Sequence, residues 1–154
     1  MSVVFLSFYD IIYSKIGGTM NITIREYNDD DFDSVNEILK DAFGIEKGKV
    51  TGEDFTEIVA EVDHEVCGYL LLTDVFNPIR NDSYYLVDYV CVSKLFRGYG
   101  IGEKMMNYAY EFAKEKNAMY LQLTCGRGRI AAHHLYEKCG YVMRDSDIFR
   151  RIIK

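Results

Sequence analysis

Apolar and polar positions alternate over 21–27 (NITIREY), the pattern of a half-buried strand. Phe32, Val35, Ile38, Leu39, Ala42 and Phe43 then fall at helical spacing. Asp29 and Asp30 are the candidate N-caps of that helix, and Gly44 is its natural stop. The stretch 45–54 is a polar loop with two glycines. Runs 55–62 and 66–76 read as strands joined by a hairpin turn, and 77–83, with the only proline, as a loop. The run 84–92 (YYLVDYVCV) alternates little, which predicts a strand buried on both faces. Ile101, Met105, Tyr108, Ala109, Phe112 and Ala113 mark one face of a second helix, ending near Asn117. A strand at 119–125, a turn at 126–129 and a short helix at 130–138, closed by Gly140, follow. The segments 141–144 and 147–153 resemble a closing hairpin. Strand and helix alternate without a linker or repeat. The expected fold is α/β (α+β), a mixed, mostly antiparallel central sheet flanked by helices.

The first 19 residues break this rhythm. They are apolar, but Asp10 and Lys15 interrupt them, and no run reaches the roughly 18 residues of a membrane span. They lack a basic leader and a small-residue cleavage site. They are read as an extension, 1–19, ahead of a domain at 20–154 that opens at Met20.

Composition narrows the partners. A net charge of −6 removes the broad basic footprint of a nucleic-acid binder. Solubility alone accounts for such a charge, and a cationic acceptor would also suit it. Cys67, Cys91, Cys125 and Cys139 form no CxxC, and three histidines form no HExxH, so no metal site is expected. Each cysteine lies in or beside an apolar run, which predicts buried reduced thiols and a cytoplasmic setting.

The chemistry-bearing stretch is RGYGIG, 97–102, between the 84–92 strand and the second helix. Glycines let an anion approach a helix N-terminus without meeting a Cβ. A P-loop needs GxxxxGK[ST], and Met105 follows Lys104, so that pattern fails. A dinucleotide fingerprint needs GxGxxG, and Glu103 or Met105 stands where its third glycine belongs. RGYGIG is similar to the R/Q-x-x-G-x-G/A signature of the GCN5-related N-acetyltransferase (GNAT) superfamily. VDYVCVSKLF before it resembles that family's fourth strand, and RIAAHHLYEKCGY (129–141) resembles its second signature.

The resemblance implies an acyl-CoA N-acyltransferase fold with acetyl-CoA as acetyl donor, in a gap between the fourth and fifth strands. It implies pyrophosphate binding by Arg97, Gly98, Tyr99, Gly100, Ile101, Gly102 and Glu103. The pantetheine arm would pair with the backbone of Val90, Cys91 and Val92, as an added strand does. Asp88 stands where many relatives place an acid, as base, water-mediated base or counter-ion. Tyr136 matches the tyrosine that protonates the leaving thiolate. Arg129 replaces the asparagine many relatives use on pantetheine, Ala132 matches a small residue, and His133 completes an R-x-x-A-H-x-x-Y form. The implied activity is direct acetyl transfer in a ternary complex to a primary amine of a small molecule or peptide. The implied partners include neither nucleic acid nor membrane, and a homodimer fits the family's habit. The competing reading is a non-catalytic acetyl-CoA-binding or sensing module of the same fold. The acceptor side is expected from the 43–54 loop, the 76–83 loop and the closing hairpin.

Overall fold

The fold was obtained as a computed structural model, which describes residues 19–153. All of the predicted extension except Thr19 lies outside the described residues. Two compact units divide the chain after Thr124. The first holds strands β1 (Ile22–Glu26), β2 (Phe55–Val62), β3 (Glu65–Asn77), β4 (Asp82–Val92) and β5 (Leu121–Gln122). It also holds helices α1 (Phe32–Phe43) and α2 (Ile101–Glu115), and the second unit holds α3 (Ile130–Lys138). The sheet runs β1-β2-β3-β4-β5, antiparallel except for the parallel pair β4–β5. This is the expected mixed, mostly antiparallel sheet.

Each face of the sheet takes one helix. Val35, Ile38 and Leu39 of α1 pack on Val59, Tyr69 and Cys91, all buried. Burying side chains of this size contributes about 1.5–3 kcal/mol apiece. On the opposite face, a Cβ at Gly68 would sit 2.7 Å from Met105 Sδ of α2 and 3.1 Å from Ala60 Cβ. A larger residue would have to displace the buried Met105 side chain and press on Ala60, so glycine suits this close approach of helix to sheet. The Tyr85 ring meets Phe112 of α2 edge-on, with centroids 5.8 Å apart.

Sequence pattern and structure part at four places. Neither Asp29 nor Asp30 caps α1: its N-cap is Asp31, without a side-chain cap bond, and Asn28 caps the 3-10 turn ahead of it. The Asn28 side chain accepts from Asp30 N (3.0 Å) while Asp31 Oδ2 accepts from Asn28 N (2.9 Å). This reciprocal pair opens a 3-10 turn, Asp29–Asp31, that leads into α1. The stretch read as 119–125 pairs over two residues only. The expected two-sided burial of β4 ends at Asp88 and Tyr89, which are exposed. Among the described residues, 141–153 form no strand, and Val142, Met143, Ile148 and Phe149 are exposed. Apolar alternation makes a strand only where a partner edge completes its hydrogen bonds.

All four cysteines are free thiols; Cys67 and Cys91 are buried, whereas Cys125 and Cys139 are half-buried. Burial pushes the Cys67 thiol up to about 12, so it stays protonated and inert.

Arg25 clamps the start of α1 to the sheet. Its guanidinium donates to both oxygens of Asp31 (2.8 and 2.9 Å) and to Glu61 on the neighbouring strand (2.9 Å). These bonds hold the buried Asp31 carboxyl below the usual range, against the opposing cost of burial. A lowered carboxyl stabilises the fold above its unfolded value near ~3.9, and the gain fades as pH falls through the folded value. Asp31→Asn is expected to cost roughly 1–3 kcal/mol at pH 7 in denaturant unfolding, a deficit that shrinks below about pH 4.

Candidate functional site

The site begins with one extra residue in β4. Leu71 pairs with Asp88 and Tyr69 with Cys91, so two steps on β3 match three on β4. Tyr89 and Val90 together oppose Leu70, which is a β-bulge. Tyr89 takes φ 56°, the left-handed region, at a cost of about 1–2 kcal/mol for a non-glycine residue. Its ring meets Phe43 edge-on at 5.7 Å, which helps fix the bend.

The second edge of β4 is released nearby. β5 pairs with Tyr85 and Leu86 and no further. From Val87 to Val92 the pairing of β4 is with β3 alone. This divergence is where the sequence placed Val90, Cys91 and Val92 as backbone partners. One qualification comes from Arg97: its Nε donates to Val92 O at 2.9 Å, so that carbonyl already has a partner. The Cys91 side chain is buried in the α1-facing core, with Sγ 3.8 Å from Tyr69 O.

β4 runs into the cradle through a 3-10 turn, Lys94–Phe96, anchored by fully buried Phe96. Gly98 (φ 86°) and Gly100 (φ 77°) both adopt the left-handed region, and a Cβ on either would meet nothing within 4 Å. The two glycines therefore serve backbone shape and not packing. Gly100 caps α2 with no side-chain bond, while its carbonyl accepts from Lys104 N (3.1 Å). First-turn N–H groups have no partner inside a helix, and they carry the positive end of its dipole. Ile101 is buried and fixes the helix start. Left-handed glycines, open space and an uncapped first turn fit a phosphate-bearing ligand.

On the α1 side of the bulge lies a cavity of about 170 Å³. Leu39, Leu71, Tyr69 and Tyr89 form one side, and the loop from Ile45 to Val50 forms the other. That loop is held by a buried cation that the sequence pattern did not reveal. Lys47 Nζ pairs with Glu57 Oε1 at 2.6 Å and donates to Gly48 O at 3.2 Å. It sits 4.5 Å from the Tyr27 ring centroid, while Lys47 N donates to Asn36 Oδ1 (2.8 Å). Tyr69 OH donates to the same Glu57 oxygen at 2.8 Å. Burial, then the Glu57 hydrogen bond, pushes Tyr69 far above the ordinary phenol value, so it remains a donor. Asp88, exposed, pairs across the strands with the cavity residue Leu71.

Arg129, Ala132 and Tyr136 belong to α3 in the second unit. Arg129 is the N-cap of the helix, and Tyr136 is its buried residue. Tyr136 O accepts from Tyr141 N at 2.9 Å, with the two rings 6.0 Å apart. His133 Nε2 lies 3.1 Å from Gly126 O, which ties the helix to the GRGR turn and gives His133 a structural bond. Among the described residues no group of three His, Cys, Asp or Glu could hold a metal ion. No helix among them is long and apolar enough to cross a membrane.

A sheet that splays beside a bulged strand, with a glycine-started helix at the end of that strand, defines the acyl-CoA N-acyltransferase class of α/β folds. The model of the acetyltransferase (GNAT) family matches residues 20–141. The chain belongs to this family. It is 25% identical over 97 residues to streptothricin acetyltransferase of Escherichia coli, covering 63% of this chain and 53% of that protein. It is 34% identical over 80 residues to an uncharacterized N-acetyltransferase of Archaeoglobus fulgidus, covering 51% and 54%. The chain thus spans about half the length of these curated relatives. An aminoglycoside acetyltransferase from an uncultured soil metagenomic sample shares the fold at TM-score 0.74 and 14% identity, covering 86% of this chain and 97% of that one.

The open surroundings of Gly100 make its cost of substitution purely conformational. Gly100→Ala is expected to lose roughly 1–2 kcal/mol in denaturant unfolding, with an unchanged m-value.

Proposed function

We propose that the chain is an N-acetyltransferase that moves an acetyl group from acetyl-CoA to a primary amine. The observation that carries this reading is the released edge of β4, running through the bulge into the left-handed glycines at the start of α2. When bound, acetyl-CoA supplies an activated thioester carbonyl. The chain's own groups supply the rest. Arg97, Gly98, Tyr99, Gly100, Ile101, Gly102 and Glu103 hold the pyrophosphate, chiefly through backbone N–H groups and the helix dipole. Backbone groups of Val90 and the N–H of Val92 would align the pantetheine arm and bring a donor to the carbonyl oxygen as it gains charge, whereas Cys91 turns its backbone groups to β3, as the bond from Ser93 N to Cys67 O requires.

An alkyl ammonium titrates near ~10.4, so making it nucleophilic at pH 7 costs about 4.6 kcal/mol. Asp88, exposed beside the bulge, takes that proton directly or through water. A second nitrogen proton would leave to solvent as the carbon–nitrogen bond replaces the carbon–sulfur bond, and Tyr136 would supply a proton to the departing sulfur. Arg129 and Ala132 are assigned to the cofactor side on their match to the family's second signature. The names of relatives, streptothricin and aminoglycoside acetyltransferases, support an amine as acceptor.

Acetyl-CoA is expected to raise the melting temperature, and amine-dependent release of free thiol to follow in a panel of amines. Absence of stabilisation at saturating acetyl-CoA overturns the reading. Stabilisation without amine-dependent thiol release leaves the binding-module alternative. Gly100→Asp keeps a residue type tolerated at helix N-caps and in the left-handed region, and should fold while losing the acetyl-CoA shift. Asp88→Asn should lower kcat by roughly a hundredfold. Tyr136→Phe should lower kcat with little change in acetyl-CoA affinity, and an unchanged kcat removes it as the acid.

A further inference from the structure

The cavity beside the bulge has an unusual floor. Lys47 and Tyr69 are wall residues, and Glu57, which both of them hold, lies behind them and off the wall. Only 3% of the Lys47 side chain and 10% of the Glu57 side chain are exposed. The Lys47 ammonium has the surroundings an alkyl ammonium ligand would seek. A carboxylate lies at 2.6 Å, a carbonyl at 3.2 Å, and the rings of Tyr27, Phe32 and Tyr69 at 4.5, 5.6 and 6.0 Å. Carboxylate and aromatic faces together form an ammonium cage, and the chain fills it with its own lysine. The other charged wall residues are Glu46, which pairs with Lys40 at 3.0 Å, and Lys49. The rest of the wall is Leu39, Ile45, Val50, Leu71 and aromatic rings.

We propose that Lys47 determines acceptor specificity: by filling the cage it leaves the cavity a neutral floor, so the acceptor is a primary monoamine with a compact apolar or aromatic group. This rests on the acetyl-transfer reading for the reacting amine and adds what the rest of the acceptor must be. A second ammonium on the acceptor would find the floor carboxylate already neutralised by Lys47 and the wall carboxylate of Glu46 engaged by Lys40, and an unpaired charge there is disfavoured. The volume of about 170 Å³ is below the roughly 300–1,000 Å³ of pockets for drug-sized ligands, which sets the group's size. Lys47 acts by exclusion as much as by attraction.

The test compares straight-chain monoamines with diamines of equal length, four to eight carbons, and phenethylamine, on the full chain. Two readouts are taken: dissociation constants by calorimetry in the presence of CoA, and kcat/KM in thiol release with acetyl-CoA. Wild type should prefer the monoamine by about tenfold or more in both. Lys47→Ala removes the plug and turns the Glu57 carboxylate toward the cavity. It should cancel or invert that preference, and adding Glu57→Gln should restore it. Should Lys47→Ala lose its cooperative melt, Lys47→Gln keeps a donor on Glu57 but leaves its charge unbalanced, and carries the same expectation. A wild type that binds the diamine as well as the monoamine overturns the proposal, as does a ratio unmoved in the folded Lys47 variant. If the binding ratio shifts as expected and no amine is acetylated, Lys47 sets which amine the cavity binds, and the acetyl-transfer reading alone falls.

Discussion

One extra residue in β4 sets the geometry on which the rest depends. Side chains alternate across a strand, so Asp88 and Cys91, three apart, would face opposite sides of a regular sheet. The bulge at Tyr89 and Val90 restores parity. Asp88 pairs with Leu71 and Cys91 with Tyr69, and both pairs point to the α1 face. Without it a slip of one residue would turn Cys91 out of the core and carry the following glycines to the wrong side. The left-handed φ at Tyr89 is the local cost. The Phe43 contact and the unbroken pairing with β3 on both sides of the bulge hold it in place.

The bulge also lies on the stretch of β4 that β5 has released, so bend and open edge coincide. β4 leads from there, through buried Phe96, directly to the uncapped start of α2. Backbone polar groups of the edge and of the helix terminus thus form one continuous track. Arg97 closes the corner of that track by taking the Val92 carbonyl. The glycines shape this track through backbone conformation alone, since a Cβ on Gly98 or Gly100 would meet nothing within 4 Å.

The cavity beside the bulge follows a different principle. The 45–54 loop has no regular element to hold it, yet it walls the cavity. A buried Lys47–Glu57 pair, with Tyr69 as a second donor and Asn36 on the backbone, fastens it to α1 and β2. Removing one partner of such a pair strands a charge, a cost of about 3–5 kcal/mol, so loop position and cavity polarity are coupled. The cavity floor is thus a neutralised ion pair inside an acidic chain, so net charge is a poor guide to local polarity.

Periodicity was enough for α1, α2 and the first four strands, because each buries an apolar face whose spacing is local, while α3, with Tyr136 its one buried residue, was marked by the turn before it and Gly140 after it. The RGYGIG spacing was legible for the same reason: left-handed backbone and an uncapped helix start are demands on neighbouring residues. The reciprocal cap of Asn28 and Asp31 was less so, since the aspartates around it look alike in sequence and only the Arg25 bridge separates them. The length of β5, the missing closing hairpin and the bulge were not legible, because pairing is a property of two edges distant in the chain. Nor was the Lys47 cage, which joins Tyr27 just after β1 to residues from α1, the loop, β2 and β3 that carry no common motif. The sequence by itself determined the elements and the left-handed glycine turn at the start of α2, through short-range sterics and hydrophobic spacing. Only the tertiary structure decided where the sheet opens and which charge lies under the cavity, because long-range pairing and desolvation have no local signature.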